Sequence, residues 1–113
     1  MPFIDVKTNK QVSKAQEIAL KEELGQAIAI LPGKSETWLM LDIHDQSRMY
    51  FHGDDAPCAM VQVQVFGKIN SAKCEELTAK VCAIMQDVLD VPQDSTYVKY
   101  EEVSLWGWNS QNF

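Results

Sequence analysis

The 113-residue sequence has few of the residues on which specialised scaffolds depend: three cysteines, four prolines and five glycines. The cysteines form neither a Cys-x-x-Cys pair nor a Cys/His ligand spacing, which argues against a disulfide framework, thiol-disulfide exchange and a zinc site. A composition of 46% hydrophobic and 23% charged residues excludes collagen and disorder. We therefore expect one domain covering residues 1–113, because a second core would not fit this length.

Basic residues are also in the minority, and ten of them against sixteen acidic residues give a net charge of −6. Binding to nucleic acid or to anionic membranes requires the opposite sign, so neither partner is expected. The longest apolar run, Ala27 to Leu31, is far shorter than the roughly 18 residues that span a bilayer. The charged start, with Asp5 and Lys7, does not fit a signal peptide, and we expect a protein made in the cytoplasm.

The common catalytic and nucleotide-binding signatures GxGxxG, GxxxxGK[ST], HExxH and GxSxG are absent. We therefore predict no cofactor and no metal. His44 and His52 are the only histidines. Asp42 and His44 share a predicted strand face, but without a placed nucleophile such a pair is typical of a surface, and we assign it no catalytic role.

Polarity patterns in the first half predict a strand, a helix and a strand. Residues 3–8 alternate in polarity, Ser13 and Gln16 form a capping box, and apolar residues at helical spacing end at Pro32. This predicts a helix of about five turns. Residues 37–44 alternate again and predict the second strand.

The second half repeats this order, with a strand at residues 59–66, a helix beginning at Ser71 and a strand at 96–102. Two tandem β-α-β units predict a fold of the α/β (α+β) class. We expect a four-stranded mixed sheet with two helices on one face and parallel strands within each unit.

The two faces of this sheet differ in polarity. The helix-facing side is predicted to carry Val61, Val63 and Val65 beside Leu39, Leu41 and Ile43. The other side mixes apolar and polar groups, which suits an oligomer whose sheets face one another around a partly wet interior. Its residues are Met60, Gln62, Gln64, Trp38, Met40 and Asp42.

Pro2 follows the initiator methionine, whose removal would leave a secondary amine at the chain end. Burial or a nearby cation lowers the pKa of such an amine and so suits it to act as a general base at neutral pH. The position of Pro2 also fits a proline that only begins a strand, where the missing backbone N–H costs the sheet no hydrogen bond.

Short motifs in order along the whole chain resemble the macrophage migration inhibitory factor family of the tautomerase superfamily. They are Met-Pro at the start, Gly33-Lys34, Met49-Tyr50-Phe51-His52-Gly53, Ala56-Pro57-Cys58-Ala59, Phe66-Gly67-Lys68-Ile69, Tyr97 and Gly107-Trp108-Asn109 before Phe113. The resemblance implies a homotrimer, with active sites at subunit interfaces, that tautomerises phenylpyruvate-like aromatic 2-keto acids.

The same resemblance implies a role for each matched residue. Pro2 would be the catalytic base, Lys34 would bind the substrate carboxylate, and Tyr97 would come from a neighbouring subunit. The backbone of Phe66 and the side chain of Trp38 match other positions beside the pocket. Trp106 replaces a small aliphatic residue and could form a flat apolar wall.

Lys99 departs from the family pattern, which has asparagine there. Strand alternation puts Lys99 on the same face as Tyr97. We predict that Lys99 lines the pocket and adds a second cation, which would favour a neutral Pro2; the alternative is a side chain that bends out to solvent.

Two further functions stay open beside the cofactor-free enzyme. One is a cytokine-like protein that binds a cell-surface receptor and is secreted without a signal peptide, as family members are. The other is a trimeric scaffold whose tautomerase activity is incidental.

Overall fold

A computed structural model describes residues 1–113 as one sheet covered by two helices. The strands of the sheet are β1 Pro2–Thr8, β2 Met40–His44, β3 Ala59–Phe66 and β4 Thr96–Val103. The helices are α1 Lys14–Ala27 and α2 Ser71–Leu89. A hairpin of β5 Gly107–Trp108 and β6 Gln111–Asn112 follows. Neither helix is both long enough and apolar enough to cross a membrane.

The sheet has the order β2-β1-β3-β4 and is mixed. β1 lies parallel to β2, and β3 lies parallel to β4, as expected for two β-α-β units. The two units meet where β1 pairs antiparallel with β3. The predicted fold, an α+β arrangement with a four-stranded mixed sheet, is confirmed.

The core lies between the helices and one face of the sheet and contains 17 buried apolar residues. Val61, Val63 and Val65 are fully buried there, and alternate residues of β3 are only half-buried. Leu41 and Ile43 of β2 pack against the core from its edge. The predicted helix-facing side of the sheet is therefore correct.

Both helices begin at side-chain caps. Ser13 accepts a hydrogen bond from the backbone N–H of Gln16, whose side chain accepts one from the backbone N–H of Ser13. This is the predicted capping box. Asn70 caps α2 by accepting from the backbone N–H of Lys73, so Ser71 is the first helical residue rather than the cap.

Two predicted boundaries are wrong by a few residues. The strand expected at 37–44 begins only at Met40, because pairing with β1 starts at the Phe3–Met40 rung. The preceding residues Glu36–Trp38 form a 3₁₀ turn. Helix α1 ends at Ala27 and continues as the 3₁₀ turn Ile28–Ile30, which carries the chain towards Pro32.

We predict that Ser13→Ala lowers the free energy of unfolding by about 1 kcal/mol, because it leaves a first-turn N–H of α1 without its cap. Ser71→Ala is the matched control, since Ser71 is exposed and lies inside α2 rather than at its cap. Urea unfolding at one fixed protein concentration measures both. Equal stabilities of the two variants would contradict the capping role of Ser13.

Candidate active site

A cavity of about 600 Å³ opens at the end of the sheet where β1 begins. Its lining combines the start of β1, the turn before β2, one residue of β3 and the C-terminal hairpin. The residues are Met1, Pro2, Phe3, Thr37, Trp38, Leu39, Met40, Gln64, Trp106, Gly107 and Trp108.

One rung of the sheet contributes three of these side chains. Phe3 pairs with Met40 on one side and with Gln64 on the other. Alternation puts all three on the face away from the helices. The Gln64 side-chain amide donates to a carboxylate oxygen of Glu101 at 2.7 Å, which fixes the position of the polar group on this rung.

Pro2 is buried opposite Val65 at the first position of β1. Pairing continues one residue further, because the N–H of Phe66 donates to the carbonyl oxygen of Met1 at 3.0 Å. The start of the chain is thus fixed in the sheet beside the cavity.

Aromatic rings form the wall opposite the sheet. The Trp38 and Trp108 rings meet edge to face with centroids 5.1 Å apart. Phe113 stacks on Trp108 at 6.3 Å and contacts the Phe66 ring at 5.4 Å. The Phe113 N–H also donates to the carbonyl oxygen of Trp106, which holds the end of the chain against the wall.

Lys34 lies beside this end of β1. It follows Gly33, whose positive φ of 79° turns the chain after the first helix. The Lys34 ammonium donates to the carbonyl oxygen of Phe66 at 3.1 Å. Burial, aided by the Lys34 cation, lowers the pKa of the Met1 amino group below its ordinary value of 8.0.

The structure brings Pro2, Trp38, Trp106, Lys34 and Phe66 together at one end of the sheet. Tyr97 and Lys99 are not with them.

Tyr97 pairs with Met60, whereas Pro2 pairs with Val65. These rungs lie five residues apart along β3, or roughly 17 Å. Lys99 pairs with Gln62 and is exposed on the same face as Tyr97. Within one chain, neither side chain lines the cavity beside Pro2.

Eight lining residues were absent from the predicted site: Met1, Phe3, Thr37, Leu39, Met40, Gln64, Gly107 and Trp108. Alternation had already put Met40 and Gln64 on the outer face of the sheet. What was missing was the register that aligns them with Phe3.

The cysteines take no part in this cavity. Cys58 is buried and Cys74 and Cys82 are half-buried. Burial raises the pKa of each thiol, and carboxylates near Cys58 and Cys74 add to the effect. Thiols held protonated in this way are poor nucleophiles.

The sequence model of the macrophage migration inhibitory factor (MIF) family matches residues 1–112. The chain belongs to this family. Macrophage migration inhibitory factor of Meriones unguiculatus is 30% identical over 115 residues, which cover 100% of this chain and 99% of that protein.

Solved MIF structures share the fold. Leishmania major MIF2 has a TM-score of 0.94 at 26% identity, with 100% of this chain and 97% of that chain covered. The MIF homologue from Prochlorococcus marinus has a TM-score of 0.84 at 25% identity, with 98% of each chain covered. The resemblance read from the short motifs is confirmed, and with it membership of the tautomerase superfamily.

We predict that, in protein that keeps Met1, Lys34→Ala raises the pKa of the Met1 amino group. Removing a neighbouring cation removes a penalty on the protonated amine, while the effect of burial stays. The rate of acylation of this amine at a series of pH values measures this pKa, because only the neutral amine reacts. Mass spectrometry identifies the acylated residue. Lys80→Ala, a change at an exposed lysine of α2, is the control. An unchanged pKa in Lys34→Ala would show that burial alone acts on the amine.

Proposed function

We propose that this MIF family member is a cofactor-free keto-enol tautomerase of phenylpyruvate-like 2-keto acids, with Pro2 as general base. The observation that carries the proposal is the position of Pro2, buried at the edge of the cavity and directly after Met1, whose amino group has its pKa lowered by burial and by the Lys34 cation. We expect the same surroundings to favour a neutral Pro2 amine once Met1 is removed. A neutral amine at neutral pH is what proton abstraction requires.

The chemistry needs only one group that accepts and returns a proton. After removal of Met1, the Pro2 nitrogen is a secondary amine with a free electron pair. It takes a proton from the carbon next to the keto group, and the electrons of that C–H bond form the enol double bond. The π electrons of the C=O bond move to the keto oxygen, which takes a proton back from the protonated Pro2 nitrogen. Ketonisation runs the same steps in reverse.

Lys34 and Phe66 supply the binding site for the substrate carboxylate. Removal of Met1 also removes the carbonyl that the Phe66 N–H contacts at 3.0 Å. A donor that has lost its acceptor in this way favours a new one, and the Lys34 ammonium is already bound to the carbonyl of the same residue. A carboxylate at this point would receive both an N–H and a cation.

Tryptophans Trp38, Trp106 and Trp108 supply the apolar wall for the aromatic ring of the substrate. Flat rings at this wall pack against a substrate ring over a large area. Binding of the ring and of the carboxylate at opposite ends holds the reacting carbon near Pro2.

Tyr97 and Lys99 join this site in our proposal through a homotrimer, in which a neighbouring subunit brings them to the cavity. The exposed side chains of the outer face support such an assembly, because Met40 is 69% exposed and Tyr97 58% exposed in the single chain. Large apolar side chains exposed at both edges of one sheet face favour covering by another subunit. Lys99 would then add a cation to the site.

We predict that sedimentation at micromolar concentration yields a species of three chains. Met40→Glu adds charge to the proposed interface and should shift the protein towards smaller species, whereas Leu105→Glu, also at an exposed apolar residue, should do so less. A stable wild-type monomer would remove Tyr97 and Lys99 from the site.

We predict that Pro2→Ala, or one residue added before Pro2, lowers kcat/KM for phenylpyruvate by about a hundredfold or more, the usual contribution of a general base. Pro57→Ala, at an exposed proline outside the cavity, should keep the wild-type rate. The mass of the intact protein must also show that Met1 is absent. A wild-type rate in either Pro2 variant would assign proton transfer to another residue.

We predict that Lys34→Ala raises KM for phenylpyruvate by roughly 10- to 150-fold, the loss of one charge-assisted hydrogen bond. The alternative role of Lys34 is to stabilise the end of the first helix, which would change stability rather than binding. Comparison of KM with the melting temperature distinguishes the two roles. A lower melting temperature with unchanged KM would assign Lys34 to the helix end.

The alternative within the same family is a cytokine-like protein that binds a cell-surface receptor. Pro2→Gly tests which role depends on the cavity, because it removes the secondary amine and leaves the outer surface of the helices unchanged. Receptor binding through that surface should persist when tautomerisation is lost.

A further inference from the structure

A second cluster of reactive side chains lies on the outer face of the sheet, outside the cavity lining. Asp5 of β1 pairs directly with Asp42 of β2. This pair lies two residues along each strand from the Phe3–Met40 pair and so points to the same face of the sheet. His44 follows on the same face of β2. The sequence shows the Asp42 and His44 pair, and the register of the sheet adds Asp5 from another strand. The prediction of no metal does not include this third group, because the sequence alone does not align the two strands.

The three side chains converge on one point. His44 Nε2 lies 2.8 Å from Asp42 Oδ2 and 3.8 Å from Asp5 Oδ1. All three ligand atoms lie within 4.8 Å of one another. Ligands about 2.0–2.2 Å from a tetrahedral zinc ion are separated by roughly 3.3–3.5 Å, so small movements of side chains would bring all three into coordination.

Asp5 supplies a separate observation that points to a ligand. Its Oδ1 is inaccessible to solvent and has no hydrogen-bond partner. The side chain as a whole is only 14% exposed, and its other oxygen accepts from the Lys7 ammonium at 2.7 Å. A buried carboxylate oxygen without a donor is costly, and a cation at the point where Oδ1 faces His44 would relieve that cost.

We propose that Asp5, Asp42 and His44 bind one divalent transition metal ion of the zinc class per chain. One imidazole nitrogen and two carboxylate oxygens form a mixed donor set that suits such ions better than calcium or magnesium, which prefer oxygen alone. Three protein ligands leave a further position for water. The proposal is independent of the tautomerase function, because none of these residues lines the Pro2 cavity.

Lys7 opposes the ion. Its ammonium lies against Asp5 and on the same face as His44, with which Lys7 is paired in the sheet. Binding of a dication must overcome this positive charge, so neutralising Lys7 should tighten binding. Adventitious binding elsewhere would not respond to Lys7.

Calorimetric titration of the metal-free, full-length protein with zinc chloride tests the site. We expect one saturable equivalent per chain that His44→Gln and Asp42→Asn weaken by at least about tenfold. His52→Gln, which changes the only other histidine, should bind like the wild type, and Lys7→Met should bind more tightly. Near-UV circular dichroism of each metal-free variant checks that the aromatic packing is intact.

Proton NMR of the unaltered protein gives a second measurement that does not depend on a variant's folding. Zinc should shift the ring resonances of His44 until one equivalent is bound, while those of His52, assigned from His52→Gln, stay in place. Zinc binding that survives in His44→Gln at full strength would show that the ion binds elsewhere and would overturn the proposal. Unmoved His44 resonances would also overturn it.

Discussion

The antiparallel pairing of β1 with β3 is the contact on which the rest of the structure depends. Each β-α-β unit contributes only two parallel strands, and a two-stranded pair cannot cover a helix layer alone. Joining the units at β1 and β3 makes a sheet wide enough for both helices. The same pairing fixes Pro2 opposite Val65. One strand register therefore sets both which residues enter the core and which lie at the cavity. A slip of one residue would turn Ile4 and Val6 away from the helices, and the burial of these side chains prevents it.

The elements of the fold could be predicted because their signals are local. The Ser13 capping box and the buried valines of β3 need only neighbours within a few residues. Register is a different kind of information, since it depends on which residues of distant strands meet. That is why alternation alone could put Met40 and Gln64 on the outer face and could not join them to Phe3, or Asp5 to Asp42.

Tertiary contacts also explain the errors at single residues. Trp38 alternates with Met40 in polarity, yet a tryptophan is large enough to gain more from packing edge to face on Trp108 than from extending an edge strand. The family resemblance supplied what periodicity could not, namely roles for Pro2 and Lys34, and the fold puts both at the same end of the sheet. Tyr97 and Lys99 lie too far from Pro2 within one chain to share its cavity, so a role for them there depends on the proposed homotrimer.

The two ends of the described chain lie close to the same cavity, because Met1 lines it and Phe113 packs on the lining residue Trp108. Met1 continues the pairing of β1, and Phe113 packs on Trp108 and Phe66 at the opposite wall. Affinity tags, fluorescent labels or fusion partners joined at either end would therefore perturb this cavity first.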